Sequence, residues 1–230
     1  MPVGIMSNVA AVLAGGLLGG TFGKHLTEDL KKSLTVVFGF SSIAIGIPLI
    51  AKVNILALVV LSLILGTAVG TLLSLEKRIR GFFSALYGRL NSTTSSNTDA
   101  IDKFLVLLVL CCTSGTGIFG SMQEGFSGDF SVLLVKSILD FFTVFIFSAT
   151  IGRFAAVIAL PQAVIFFSLF LGAKLLMPYM YPELMADFSC VGGVISIMTG
   201  FRILELKNIL IINSLPALLF VIPIAFIWPF

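Results

Sequence analysis

Charge is what this 230-residue sequence has least of. Only 11% of its residues are Asp, Glu, Lys or Arg, and 58% are hydrophobic. An ordinary soluble domain carries about 25% charged residues. Too little polar surface is present to cover so apolar a chain in water, which excludes a soluble enzyme, a disordered chain and a nucleic-acid binder. Histidine is nearly absent, with one residue, and there are three cysteines. Cys111 and Cys112 are adjacent in an apolar run and Cys190 lies in another, so they read as small packing residues; neither a C-x-x-C nor a His-x-x-x-His spacing exists to hold a metal. A Gly-rich Lys-Ser/Thr nucleotide loop is also missing. No cofactor or metal is implied. The N-terminus lacks the basic start of a signal peptide, and its Gly15-Gly16 and Gly19-Gly20 pairs suit helix packing, so the first segment reads as a retained span.

What remains is apolar runs of spanning length. Eight are found, at roughly 3–22, 33–50, 55–75, 103–120, 130–150, 156–176, 188–204 and 208–229. Lys and Arg divide unevenly among the connecting segments. One side holds Lys24, Lys31, Lys32, Lys77, Arg78, Arg80, Arg89, Lys103, Arg153, Arg202 and Lys207; the other holds only Lys52 and Lys174. The positive-inside rule then places both termini outside the cytoplasm. Residues 76–102 form a cytoplasmic segment: a basic amphipathic stretch (EKRIRGFFSALYGRL) suited to the membrane interface, then a polar linker.

The chain also resembles itself. At an offset of 154, residues 29–56 fall on 183–210 with nine identities in 28 pairs, among them Gly39 on Gly193, Ser42 on Ser196 and Gly46 on Gly200. Upstream, Asn8 falls on Gln162. Five spans separate the first members of the two copies, so the copies run in opposite directions. The expected fold is an all-α polytopic membrane protein of about eight transmembrane helices. Residues 1–75 form one three-span repeat, 103–155 a central polar helix pair, and 156–230 the inverted second repeat. This plan recurs in secondary transporters, with sites near the midplane at the repeat interface.

The polar chemistry concentrates in the central pair. Thr113, Ser114, Thr116 and four glycines interrupt the fourth span, which reads as a broken helix or re-entrant hairpin, or else as a Gly-rich helix ending in a loop. Ser121, Gln123, Glu124 and Asp129 follow toward its outer mouth. Lys136 and Asp140 lie about six and ten residues inside the fifth span, one helical turn apart and on one face. Ionisable groups at that depth face a bundle interior or a wet path. The alternative is a structural pair that fixes helix register. Asn213 in the last span reads as a hydrogen bond between helices, and Asn8 and Gln162 as polar partners across the two copies. A Gly-x-x-x-Gly spacing at Gly66–Gly70 permits close approach, including in a homodimer. Gly-Phe-Ser-Gly at 125–128 matches an intramembrane serine protease motif, but the only histidine, His25, falls on the opposite side from Ser127, so that mechanism is rejected.

At these residues the sequence resembles a family of bacterial inner-membrane proteins known as domain of unknown function 554. The resemblance covers essentially the whole chain. It rests on GIMSNVAAVLAGGLLGG, LTEDLKKSL and above all GIFGSMQEGFSGDFSVLLVKSILD. Departures are Glu124, where Asp is more usual, and Phe141, where Gly is common and which is expected to narrow a path beside Asp140. The resemblance implies a bacterial inner-membrane location and a transport role, with no substrate attached. Together these readings point to a secondary transporter or ion-coupled permease, not an enzyme, for a small solute or ion. Asp140 would be the coupling group, Lys136 its partner, and Thr116, Ser121 and Gln123 would line the path. A channel on the same scaffold, or a membrane scaffold or sensor acting through residues 76–90, are the other readings.

Overall fold

The structure is a computed structural model that describes the chain apart from residues 1, 23–26, 80, 83–103, 105–106, 109, 113, 208 and 228–230. Every regular element among the described residues is helical. In chain order these include α1 (Val3–Phe22), α2 (Glu28–Ile50), α3 (Leu56–Leu72), α4 (Gly115–Ser127), α5 (Ser131–Ile151), a 3-10 turn (Arg153–Ile158), α6 (Ala159–Leu176), a second 3-10 turn (Met177–Tyr179), α7 (Pro182–Ile203), α8 (Ile211–Ser214) and α9 (Ala217–Ile227). Among the described residues, five apolar segments are long enough to cross a membrane: Val3–Phe22, Lys32–Ile50, Ser131–Ala149, Arg153–Tyr179 and Pro182–Ile203.

The other three expected spans fall short for identifiable reasons. At 17 residues, α3 reaches only about 26 Å. The fourth is interrupted: Cys111 and Cys112 are helical, but Ser114 is extended (φ −66°, ψ 137°), and its hydroxyl accepts from Gly117 N at 3.2 Å to start α4. The eighth is cut between α8 and α9 at Leu215–Pro216, where proline cannot supply the N–H that a continuous helix needs. Most of the amphipathic segment expected at 76–102 lies outside the described residues. Glu76, the first residue of that stretch, is buried, with its carboxylate 2.8 Å from Arg202 Nη2.

Burial identifies the centre of the bundle. α7 is 67% buried over its apolar window, against 28% for α2. Its Phe188, Cys190, Val191 and Ile195 join Phe119 and Phe126 of α4 in the largest apolar cluster. The outer faces of α2, α3, α6 and α9 present Phe40, Ile47, Ile64, Leu72, Val164, Leu175 and Leu219, all more than half exposed. Contiguous apolar surface of this extent requires a non-aqueous surrounding.

Glycines set the close crossings and with them the helix directions. A Cβ on Gly46 would lie 2.5 Å from the Gly193 carbonyl, and one on Gly200 2.6 Å from the Gly39 carbonyl, so α2 and α7 are antiparallel with backbones in contact. Between these pairs, Ser42 Oγ donates to the Ser196 carbonyl at 2.9 Å. Gly66 meets Ala217 of α9 and Gly70 meets Asn213 of α8, making α3 antiparallel to the α8–α9 segment. In contrast, Gly4 meets Leu133 and Gly15 meets Phe141, so α1 runs parallel to α5. Gly117 meets Phe166 and Gly125 meets Phe170, so α4 runs parallel to α6.

Candidate functional site

α1, α5 and α6 bring four polar side chains together in the bundle. On α5, the i, i+4 spacing lets Lys136 Nζ lie 2.7 Å from both carboxylate oxygens of Asp140. Asp140 Oδ2 also accepts from Asn8 Nδ2 of α1 and Gln162 Nε2 of α6, each at 2.9 Å. Gln162 Nε2 is 2.8 Å from Asn8 Oδ1 and 3.3 Å from the carbonyl of Cys111. Asn8 and Gln162 are fully buried, and Lys136 and Asp140 nearly so. Cys111 lies in the last turn before the interruption at Ser114, where a carbonyl lacks its usual i+4 donor and is free to take a side-chain one.

The surroundings keep this pair compact. Gly117 supplies the room for the lysine stem, since a Cβ there would lie 2.5 Å from Lys136 Cε. The Phe166 ring faces Lys136 Nζ at 5.9 Å from its centroid, a weak cation–π contact. The pair is neutral as a unit. Removing either partner would leave a lone charge in a low-dielectric interior, at a cost of about 3–5 kcal/mol.

One face of the pair is open to a cavity. A space of about 30 Å³, enough for a water molecule, is bounded by Lys136, Asp140, Ser114, Thr116, Ser42 and Thr199, with Phe38, Leu110, Thr143 and Ile203. Those last four residues also wall a second cavity of about 270 Å³, which reaches Arg202 and Glu205 at the C-terminal end of α7. The two spaces share these four residues as a common boundary between the end of α7 and Asp140.

The predicted site residues divide among four places. Lys136, Asp140, Asn8 and Gln162 converge, and Thr116 lines the cavity beside them. Ser121, expected on the path, is bonded to the Gly117 carbonyl of its own helix at 2.7 Å and is not among the cavity-lining residues. Gln123, Glu124 and Asp129 lie toward the other end of α4. There Gln123 Nε2 donates to Asp129 Oδ2 at 2.7 Å, while Glu124 accepts from Gly4 N at 2.8 Å and Ile5 N at 3.2 Å, capping α1. Asn213 Oδ1 accepts from Glu76 N at 3.0 Å, joining the end of α3 to α8. Phe141 does not line the cavity: its backbone abuts Gly15 and its ring packs on Phe142 and Phe145.

Several participants were not singled out from the sequence. Ser42, Thr143 and Thr199 look like ordinary small residues of apolar helices, and only the Ser42–Ser196 identity in the repeat marked one of them. Asp187 caps α3, its Oδ1 accepting from Asn54 N and Ile55 N at 2.8 Å each. It sits at the edge of an apolar run, where a carboxylate is easily read as loop. Among the described residues no group of three His, Cys, Asp or Glu side chains is placed to hold a metal ion.

Residues 3–226 match the model of a family described as "Protein of unknown function (DUF554)". The chain is 39% identical over 230 residues to "Uncharacterized protein YqgA" of Escherichia coli (strain K12), covering 99% of this chain and 98% of that one. It is 28% identical over 222 residues to "Uncharacterized membrane protein YdfK" of Bacillus subtilis (strain 168), covering 94% and 92%. No solved structure matches.

Proposed function

The chain belongs to the DUF554 family, and from that premise we propose that it is a secondary transporter or ion-coupled permease of the bacterial inner membrane, moving a small solute or ion past Asp140. The observation that carries this reading is the buried Lys136–Asp140 pair at the inner end of a cavity. Ionisable groups at such depth are costly unless they serve a wet path, and here Asp140 borders both the bundle interior and the cavity.

The reading includes eight spans in two inverted three-helix repeats around a central pair. Alternating directions support it: parallel α1 and α5, parallel α4 and α6, antiparallel α2 and α7, and antiparallel α3 and α9 fit one succession of eight crossings. The 154-residue offset supports it as well. Asn8–Gln162 and Ser42–Ser196 are contacts between offset partners. The offset also converts the Gly39–Gly200 contact into Gly193–Gly46. Helices broken at Ser114 and Leu215 suit a scaffold in which irregular backbone lines a cavity.

With Arg202 on the cytoplasmic side, as the basic-residue distribution places it, the cavity opens inward. On the far side of Asp140 stand the Asn8–Gln162 bond and the ring of Phe166, with Glu124 clamped on the start of α1. A route that ends at a charged pair favours alternating access over a continuously open pore. The test is ion flux into proteoliposomes under imposed proton or sodium gradients, comparing wild type with Asp140→Asn. Loss of flux in the variant supports the reading. Unchanged flux returns Lys136–Asp140 to a structural pair.

A further inference from the structure

The 154-residue offset that pairs Asn8 with Gln162 and Ser42 with Ser196 also carries the wall of the larger cavity to a second place in the bundle. Of the cavity-lining residues, Thr35 falls on Ser189, Phe38 on Gly192 and Ile203 on Leu49. The unpaired helices follow the same exchange. α5 packs parallel on α1, and α4 packs parallel on α6, the helix onto which the offset carries α1. The cavity lies where Thr143, Ile146 and Phe147 of α5 face α2 and the end of α7. Its counterpart is where α4 faces α7.

That counterpart is filled. Phe119 of α4 is fully buried, and its ring is seated on Gly192: a Cβ there would lie 2.2 to 2.6 Å from three of its ring atoms. The rings of Phe119 and Phe126 pack in turn on Phe188 of α7, with centroids 5.5 and 5.1 Å apart. Leu49 and Met122 join the same apolar cluster, and Ser189 is 4% exposed. Corresponding places in the two halves therefore differ. Phe38 and the small Thr143 border an open cavity, whereas the offset partner of Phe38 is a glycine covered by an aromatic ring. When equivalent halves pack differently, exchanging the two packings gives a second state of the same chain.

We propose that Phe119 is the outer gate of the transport path, and that its seat on Gly192 is a vestibule on the side opposite Arg202, shut in this structure. It opens when the ring leaves Gly192 and α5 closes on α2. Ser189, Gly192 and Leu49 then wall it, as Thr35, Phe38 and Ile203 wall the open cavity now. The inference rests on the transport reading and supplies its second mouth. Glycine is what lets the ring lie against the α7 backbone; any side chain at 192 holds it off.

The test is thiol access in proteoliposomes holding the full chain, with Cys111, Cys112 and Cys190 replaced by alanine. Thr35→Cys and Ser189→Cys are exposed in turn to a membrane-impermeant maleimide from each side. Thr35→Cys should react from the Arg202 side, and Ser189→Cys from the opposite side only, more slowly because its open state is the minor one. Gly192→Ala should speed the outer reaction of Ser189→Cys by roughly tenfold, the room left by a minor state of at most about 10%, and slow the inner reaction of Thr35→Cys. Phe119→Ala should also speed the outer reaction, by removing the ring itself. Gly172→Ala, with open space around its Cβ position, should change neither rate. The proposal is overturned if Ser189→Cys reacts from the Arg202 side, or if neither Gly192→Ala nor Phe119→Ala raises its outer rate. Asp140-dependent flux with Ser189→Cys inert from outside would overturn this inference alone. Opposed changes at Ser189→Cys and Thr35→Cys without any flux would overturn the transport reading alone.

Discussion

Gln162 Nε2 donates to Asn8 Oδ1 at 2.8 Å, and these residues stand 154 positions apart in the chain, as do Ser42 and Ser196. Two hydrogen bonds between different helix pairs thus share one sequence offset. Both lie where backbones or polar side chains of facing helices meet, so substitutions there probe the packing on which the site depends.

The α2–α7 crossing should tolerate no side chain. Gly193→Leu would drive its Cβ into the Gly46 carbonyl and the side chains of Leu49 and Ile50. Overpacking of this kind costs about 1–3 kcal/mol. Gly172, which has open space around its Cβ position, is the control. Thermal unfolding in detergent should show a clear loss for Gly193→Leu and little change for Gly172→Leu. Equal effects would contradict the crossing.

Glu76 and Arg202 tie the end of α3 to the end of α7, beside the mouth of the larger cavity. Glu76→Gln should destabilise by about 1–3 kcal/mol, because it leaves the partly buried Arg202 guanidinium without its carboxylate partner. The double variant Glu76→Gln/Arg202→Met should lose less than the sum of the single losses, since neither charge is then left alone. Additive losses in denaturant titrations would show that the two do not interact.

Two carboxylates act as helix caps at a distance in sequence. Glu124→Ala and Asp187→Ala each leave two backbone N–H groups without acceptors, at the starts of α1 and α3. Each should cost about 2–3 kcal/mol. Hydrogen exchange should localise the loosening to residues 4–5 in the first variant and 54–55 in the second. Unchanged exchange at those amides would remove the capping roles.

Much of this arrangement is legible in the sequence, and the gaps have physical causes. Lys136 and Asp140 stand out because charge is rare in so apolar a chain, and their spacing alone puts them on one face. Asn8 and Gln162 become readable only through the repeat. The bond of Ser121 to its own helix was not legible, because a helical serine in an apolar setting can satisfy its hydroxyl on its own backbone or point elsewhere. The ties of Glu76 were not legible, because its position follows a span and precedes a basic run, while its carboxylate turns back to Arg202 and α8. The Cys111 carbonyl was invisible in principle, since a backbone oxygen becomes a site atom only where the helix breaks.

The most direct test of the central claim is whether water reaches Asp140 along the route walled by Thr143. Thr143→Cys would be exposed to a membrane-impermeant thiol reagent in sealed vesicles of either orientation; the native Cys111, Cys112 and Cys190 are buried. The account predicts rapid modification only from the side that carries Arg202, loss of flux once modified, and far slower reaction of Phe166→Cys, which packs beyond the pair. Modification no faster than at Phe166→Cys, or equal from both sides with flux intact, would contradict it.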